Sequence, residues 1–244
     1  MTTITYSKEK DLKLDLYLPE REKPDLFIYM HGGGIESGSR GDFRAAAEKL
    51  LENGIASASL DYRLYPKAVF PEFIEDCAEG IDYLLNKSGH KFGKITVGGS
   101  SAGSYLSMML LFDKHYLGKY GINPLSLDGW FLDAGQPTTH FNVLRERGLD
   151  SRLVRIDEAA PLYFIDGDFS PVREDGKLPM VMNIAASCDM TCRLEQLRLL
   201  DATLKHFNYP SKRLRFEFMN GYSHCQYDWQ PIFAKMIIDF IASC

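Results

Sequence analysis

Three residues of this chain have the types and the order needed for nucleophilic chemistry: Ser101, Asp189 and His224. A serine hydroxyl is a weak nucleophile until a base takes its proton, and the base works best when an acid fixes its tautomer. Ser101 is the centre of Gly99-Ser100-Ser101-Ala102-Gly103, a Gly-x-Ser-x-Gly pattern. The β-branched run Lys94-Ile95-Thr96-Val97 precedes it, and the apolar helical stretch Tyr105 to Leu111 follows. A serine on a sharp turn between a buried strand and a helix is a nucleophile elbow. Side chains at Gly99 and Gly103 would collide with neighbouring backbone in so tight a turn, and the helix N-terminus places positive partial charge where an oxyanion would form. The pattern alone also fits a plain glycine-serine loop, so its partners decide between the two.

His224 lies in Asn220-Gly221-Tyr222-Ser223-His224, expected to be a loop between the last strand and the last helix. His90, His115 and His206 fall on polar helix ends and read as solvated. His140 is an outside candidate for substrate contact, and His31 is expected to orient a glycine loop. Asp189 follows the apolar run Met180 to Ala186 by two residues, a strand-end position that suits the acid. Asp166 and Asp168 satisfy the same order but sit in an irregular stretch.

Glycines at 32, 33 and 34 follow His31 and the run Leu26 to Met30. Without Cβ atoms, their backbone N–H groups can turn toward an incoming carbonyl oxygen. A phosphate cradle would continue as Lys-Ser/Thr or Gly-x-Gly-x-x-Gly into a helix, and neither follows.

The elements that must hold these residues alternate between strand and helix. Leu12 to Leu18, Leu26 to Met30, Ile55 to Leu60, Leu127 to Leu132, Met180 to Ala186 and Leu214 to Met219 read as strands. Phe43 to Asn53, capped by Gly54, then Phe73 to Asn86, Arg193 to Phe207 and Ile232 to Ile241 read as helices. With an opening strand near Ile4 the count is roughly eight, enough for a large, mostly parallel sheet whose first pair is antiparallel. Positions 135–179 read as an irregular, lid-like excursion.

The chain has 244 residues, 45% of them hydrophobic, and a net charge of −5. That suits one α/β domain over 1–244 and argues against a nucleic-acid surface. No apolar stretch reaches membrane-span length, and the N-terminal residues lack a signal-peptide core, so a cytoplasmic location is expected. Five cysteines do not read as a disulfide framework. Cys188 and Cys192 flank Asp189, and Cys225 follows His224. Zinc ligation and a Cys192–Cys225 disulfide are sharper readings than packed or partly exposed thiols. The Cys-x₃-Cys spacing and a reducing compartment favour the thiols.

His31 to Gly34, Asp61-Tyr62-Arg63-Leu64 with Phe70-Pro71 and Glu75-Asp76, the elbow at Ser101, and the Asp189/His224 pair together resemble the α/β-hydrolase superfamily. Within it the chain is similar to bacterial carboxylesterases of the hormone-sensitive-lipase type and to smaller acetyl and feruloyl esterases. The resemblance implies an α/β-hydrolase fold and an oxyanion hole from the N–H groups of Gly33, Gly34 and Ala102. It implies hydrolysis of a small-molecule ester through an acyl-enzyme, with no metal or other cofactor. A short acyl group is expected, and acetylated or feruloylated carbohydrate fits the resemblance. A serine peptidase of the same fold and a non-catalytic binding protein are the alternatives, and self-association is left open. The chain departs from the family pattern at Ser100 where an acidic residue is common, at Met190 where proline follows the acid, and at Cys225-Gln226 where Gly-Phe follows the histidine.

Overall fold

In the computed structural model, which describes residues 1–170 and 175–244, eight strands form one sheet in the order β1-β2-β4-β3-β5-β6-β7-β8. The strands are β1 Thr2–Ser7, β2 Leu12–Tyr17, β3 Leu26–Met30, β4 Ala56–Leu60, β5 Ile95–Ser100, β6 Gly129–Asp133, β7 Met180–Cys188 and β8 Leu214–Ser223. β2 pairs antiparallel with β1, as expected of a pair joined by a short turn, and also antiparallel with β4. Every pairing from β4 through β8 is parallel. The helices are α1 Arg44–Glu52, α2 Glu72–Asp82, α3 Ala102–Phe112, α4 His115–Gly118, α5 Phe141–Glu146, α6 Arg193–His206 and α7 Pro231–Ser243.

β3 shows why its sequence is apolar throughout. Successive side chains of a strand point to opposite faces. Leu26, Ile28 and Met30 enter a core that contains Phe73 and Ile74 of α2 and Leu106 and Met109 of α3. Phe27 and Tyr29 enter the opposite core, with Phe43, with Leu50 of α1 and with Phe233 and Ile237 of α7. Each fully buried side chain of this size is worth about 1.5–3 kcal/mol. α3 is buried along its whole length because it lies against the sheet centre, which explains why its sequence is apolar on every face.

Gly54 closes α1 as its sequence position suggests. Its φ is +71°, and Gly54 N and Ile55 N donate back to Leu51 O and Leu50 O at 3.0 Å. β8 is longer than expected. It runs through Asn220 and Gly221 to Ser223, so His224 follows the strand directly. A register irregularity between Ala186 and Cys188 brings Cys188 opposite Ser223, and Gly221 N donates to Ser187 Oγ at 2.8 Å. β8 is an edge strand with little burial, so its sequence carries a weak hydrophobic pattern there. β5 likewise continues through Gly98 and Gly99, because β3 and β6 hydrogen-bond it on both sides.

The residues after β4 fasten the structure around the site. Tyr62 OH donates to His31 O at 2.8 Å. Arg63 grips the fully buried Asp76 through Nε at 2.8 Å and Nη2 at 2.9 Å, and Lys10 Nζ reaches the same carboxylate at 2.9 Å. Arg40 pairs with Asp61 and, at 3.0 Å, with Asp15. Asp61-Tyr62-Arg63 and Asp76 are thus a structural latch between strand, helix and glycine loop.

Within 135–179, Thr138 to Leu144 is largely buried, α5 is short, and Tyr105 OH ties Ala159 O at 2.9 Å. Asp157 accepts from Thr139 at 2.8 Å, Arg155 at 2.6 Å and Arg147 at 2.9 Å. Positions 171–174 of the lid-like excursion lie outside the described residues. No helix among the described residues is long and apolar enough to cross a membrane.

Candidate active site

Ser101 occupies the turn between β5 and α3 with φ +54° and ψ −113°, a conformation that L residues rarely adopt. Close packing around it explains the flanking glycines. A Cβ on Gly103 would lie 1.9 Å from Met30 O, and one on Gly99 would lie 2.4 Å from the same atom. Ser101 N donates to Asp133 O at 2.8 Å, which pins the turn to the end of β6.

His224 Nε2 lies 2.8 Å from Ser101 Oγ, and His224 Nδ1 lies 2.7 Å from Asp189 Oδ1. The carboxylate accepts, so Nδ1 carries the proton and Nε2 is free to accept from the serine. Asp189 follows β7 directly and its side chain is 1% exposed, against 22% for His224. Met190 N donates to Asp189 Oδ1 at 2.6 Å, occupying the position where the family pattern has a proline without an N–H. Asp189 Oδ2 is buried with no partner among the described residues. Asp166 and Asp168 instead serve local turns, through Asp168 N and Ser170 N respectively.

The glycine loop passes against the elbow. A Cβ on Gly32 would stand 3.4 Å from Ser101 Cβ. Gly33 and Gly34 have φ of +101° and +65°, and both line the same cavity as Ser101 and His224. A Cβ on Gly33 would lie 2.1 Å from Ser37 O, so this turn admits only glycine. Ala102 is the first residue of α3, where a helix leaves its N–H without an intrahelical acceptor. His31 is buried under this loop. Its Nδ1 donates to Gly32 O at 2.7 Å, its ring stacks on Tyr62 at 4.3 Å, and burial pushes its pKa down. It supports the loop and is not among the residues lining the cavity with Ser101. His140 accepts from Asn142 N at 3.2 Å as the cap of α5, and burial pushes its pKa well down.

The cavity holds about 660 Å³ and is framed by Tyr29, Phe43, Phe141, Trp229 and Phe233 beside the glycine loop. Trp229 is 71% exposed at its rim. All five cysteines are free; Cys188 and Cys192 are exposed, so no Cys192–Cys225 disulfide is formed. Among the described residues, Cys225 groups with Asp133 and Asp228 and not with the other two thiols.

Four residues around the site were not singled out by sequence. Arg193, at the start of α6, is buried; its Nη1 donates to Ala134 O at 2.6 Å, and burial lowers its pKa against the opposing charge of Asp189. Asp133 and Tyr227 are buried beside Ser100 with the half-buried Asp228 next to them, and Tyr227 OH donates to Asp133 Oδ1. The available sign of the cluster was an aspartate closing the otherwise apolar run Gly129 to Leu132.

The sheet order, the crossovers and the elbow define an α/β-hydrolase fold, and comparison with solved structures agrees. Esterase 2 of Thermogutta terrifontis superposes with a TM-score of 0.74 at 19% identity, covering 98% of this chain and 90% of that one. Esterase B of Lactobacillus rhamnosis superposes with a TM-score of 0.76 at 18% identity, covering 100% and 85%. Residues 14–119 match the BD-FAE family model. A probable carboxylesterase 7 of Arabidopsis thaliana is 33% identical over 126 residues, 43% of this chain and 39% of the relative. A kynurenine formamidase of Danio rerio is 28% identical over 134 residues, 54% and 44%. A probable isoprenylcysteine alpha-carbonyl methylesterase of Oryza sativa subsp. japonica is 29% identical over 115 residues, 45% and 27%. The chain therefore spans less than half the length of each of these curated relatives.

Proposed function

We propose that this protein is a serine carboxylic-ester hydrolase acting on short-acyl esters. The observation that carries this reading is the unbroken line Ser101 Oγ, His224, Asp189, with contacts of 2.8 and 2.7 Å, opening onto the cavity beside Gly33 and Gly34. Ser101 Oγ attacks the acyl carbonyl while His224 Nε2 takes its proton. Asp189 holds the Nδ1–H tautomer and stabilises the imidazolium. The N–H groups of Gly33, Gly34 and Ala102 receive the oxyanion, where each donor is worth about 3 kcal/mol in the transition state. The imidazolium then protonates the leaving alcohol, and water, activated by His224, releases the acid from Ser101. Every proton is carried by these side chains, so the scheme calls for no metal or other cofactor.

Acetylated or feruloylated carbohydrate is the proposed substrate class. The BD-FAE match supports it, and so do the aromatic walls and the exposed Trp229 at the rim, a flat face for a ring or sugar. Structures of the T. terrifontis esterase 2 with propionate and with butyrate bound support a short acyl chain. Five free thiols suit a reducing compartment, in keeping with a cytoplasmic location. The test is a panel of p-nitrophenyl esters with methyl ferulate and acetylated xylo-oligosaccharides. Acetate and butyrate esters are expected to exceed octanoate in kcat/KM by about tenfold, or about 1.4 kcal/mol. Preference for octanoate, or no turnover of any ester, contradicts the reading.

A further inference from the structure

A second pair of carboxyl groups lies beneath the elbow. Asp133 closes β6 and is fully buried, and Asp228 sits on the turn that carries His224. One oxygen of each, Asp133 Oδ2 and Asp228 Oδ1, is buried with no partner among the described residues. A carboxylate oxygen of each and Cys225 Sγ lie within 4.8 Å of one another. Ser100 Oγ is buried beside both carboxyls. Two ionised carboxylates so placed, one fully buried and one half-buried at the cavity wall, repel. A single proton between them removes one charge and bridges the two carboxyls with an O–H···O bond.

We propose that Asp133 and Asp228 share one proton, and that this pair is a positioning device that holds the His224 turn against the Ser101 elbow. Asp133 is the carboxylate, because Tyr227 OH already donates to its Oδ1. Asp228 is the acid and donates to Asp133. Burial, then the neighbouring Asp133, pushes Asp228 up to about 9. The geometry makes the pair a fastener. Asp133 holds the elbow through its backbone carbonyl, at 2.8 Å from Ser101 N. Its side chain meanwhile holds Tyr227 and Asp228, neighbours of His224 in sequence. The other titratable or charged groups acting on the pair and its surroundings are Tyr29 from β3, His224 and Cys225 from the base turn, and Asp189 and Arg193 after β7. When base removes the Asp228 proton to solvent, only that O–H bond breaks. Two carboxylates then face each other and drive the turn from β6, and the Ser101–His224 contact lengthens.

The proposal rests on reading Ser101 and His224 as the reacting pair, and its test separates the two. The kcat and KM of p-nitrophenyl acetate hydrolysis are measured against pH for the wild type, Asp228→Asn and Asp228→Ala. Asparagine supplies an N–H donor that cannot be lost in this range. The wild type is expected to lose kcat above about pH 9, with KM little changed. Asp228→Asn is expected to keep kcat at pH 7.5 within about threefold and stay flat through the alkaline range, and Asp228→Ala to lose about tenfold throughout. Infrared spectra provide a readout independent of turnover: a protonated-carboxyl C=O band at neutral pH, present in the wild type and absent from folded Asp228→Asn. An alkaline loss that persists in Asp228→Asn, no such band in the wild type, or stoichiometric zinc in the dialysed protein overturns the proposal. Hydrolysis that survives Ser101→Ala overturns the functional reading instead, and the infrared band is unaffected by that outcome.

Discussion

The backbone carbonyl of Asp133 accepts the amide of Ser101 at 2.8 Å, so the strained turn at Ser101 is anchored to the neighbouring strand and not to its own. The Ser101 N–H is therefore engaged before any substrate arrives. In the proposed mechanism the oxyanion donors are then Ala102 on the helix side and the glycine loop on the other. β5 and β6 fix this arrangement through register, with Ser100 opposite Asp133.

The Asp189–His224 contact predicts a defect in turnover more than in binding. Asp189→Asn leaves an amide beside Nδ1 and favours the wrong tautomer. Its kcat is expected to fall by about 10³–10⁴ with KM within about threefold. Steady-state kinetics on p-nitrophenyl acetate measures this; a loss confined to KM contradicts the assigned role.

The Arg63 latch predicts a stability defect at a distance from the chemistry. Asp76 is fully buried, and Arg63 supplies two of its hydrogen bonds at 2.8 and 2.9 Å. Arg63→Ala leaves that charge with Lys10 and the backbone N–H of residue 63, and is expected to cost about 3 kcal/mol. Urea unfolding monitored by fluorescence reads the change; a midpoint unchanged from wild type contradicts it.

The Asp228 carboxyl predicts a pH dependence of folding whose sign is opposite to that of a salt-bridged acid. Its folded pKa, about 9, exceeds the reference value of 3.8 for an exposed aspartate. Between those values the native state holds a proton that the unfolded chain releases, so this group lowers stability as pH rises through the window and is flat above it. Asp228→Asn removes the penalty. Its Tm is expected to exceed that of the wild type at pH 8 by several degrees, with the gap closing toward about pH 4. Thermal melts at the two pH values measure the gap; a gap that widens on acidification contradicts it.

The exposed Trp229 predicts selectivity at the rim. Trp229→Ala is expected to raise KM for methyl ferulate by about tenfold more than for p-nitrophenyl acetate, because only the larger group reaches the ring. Equal changes for both substrates contradict the rim assignment.

The sheet was legible in the sequence because its central strands are buried on both faces. Leu26 to Met30 has no polar residue to hide its ends, and α3 is apolar throughout for the same reason. The edge was less legible. β8 buries little, and Asn220-Gly221 has the composition of a turn, so the last part of the strand is set by pairing with β7 and not by pattern. Ser101, Asp189 and His224 could be picked out because strand ends and chain order constrain them. The Asp133–Asp228 cluster could not, since nothing in residue type links positions so far apart in sequence until β6 and the His224 turn meet. Ser100, read as a departure from an acidic position, turns out to lie beside that cluster.

The role of Ser101 as nucleophile is tested most directly by p-nitrophenyl acetate hydrolysis by the wild type and by folded Ser101→Ala, read with fluorophosphonate labelling followed by peptide mass mapping. Turnover and a single label on Ser101 are expected in the wild type, and in Ser101→Ala a loss of at least about 10³-fold with no label. Equal rates for the two proteins, or a label carried by another residue, would contradict that role.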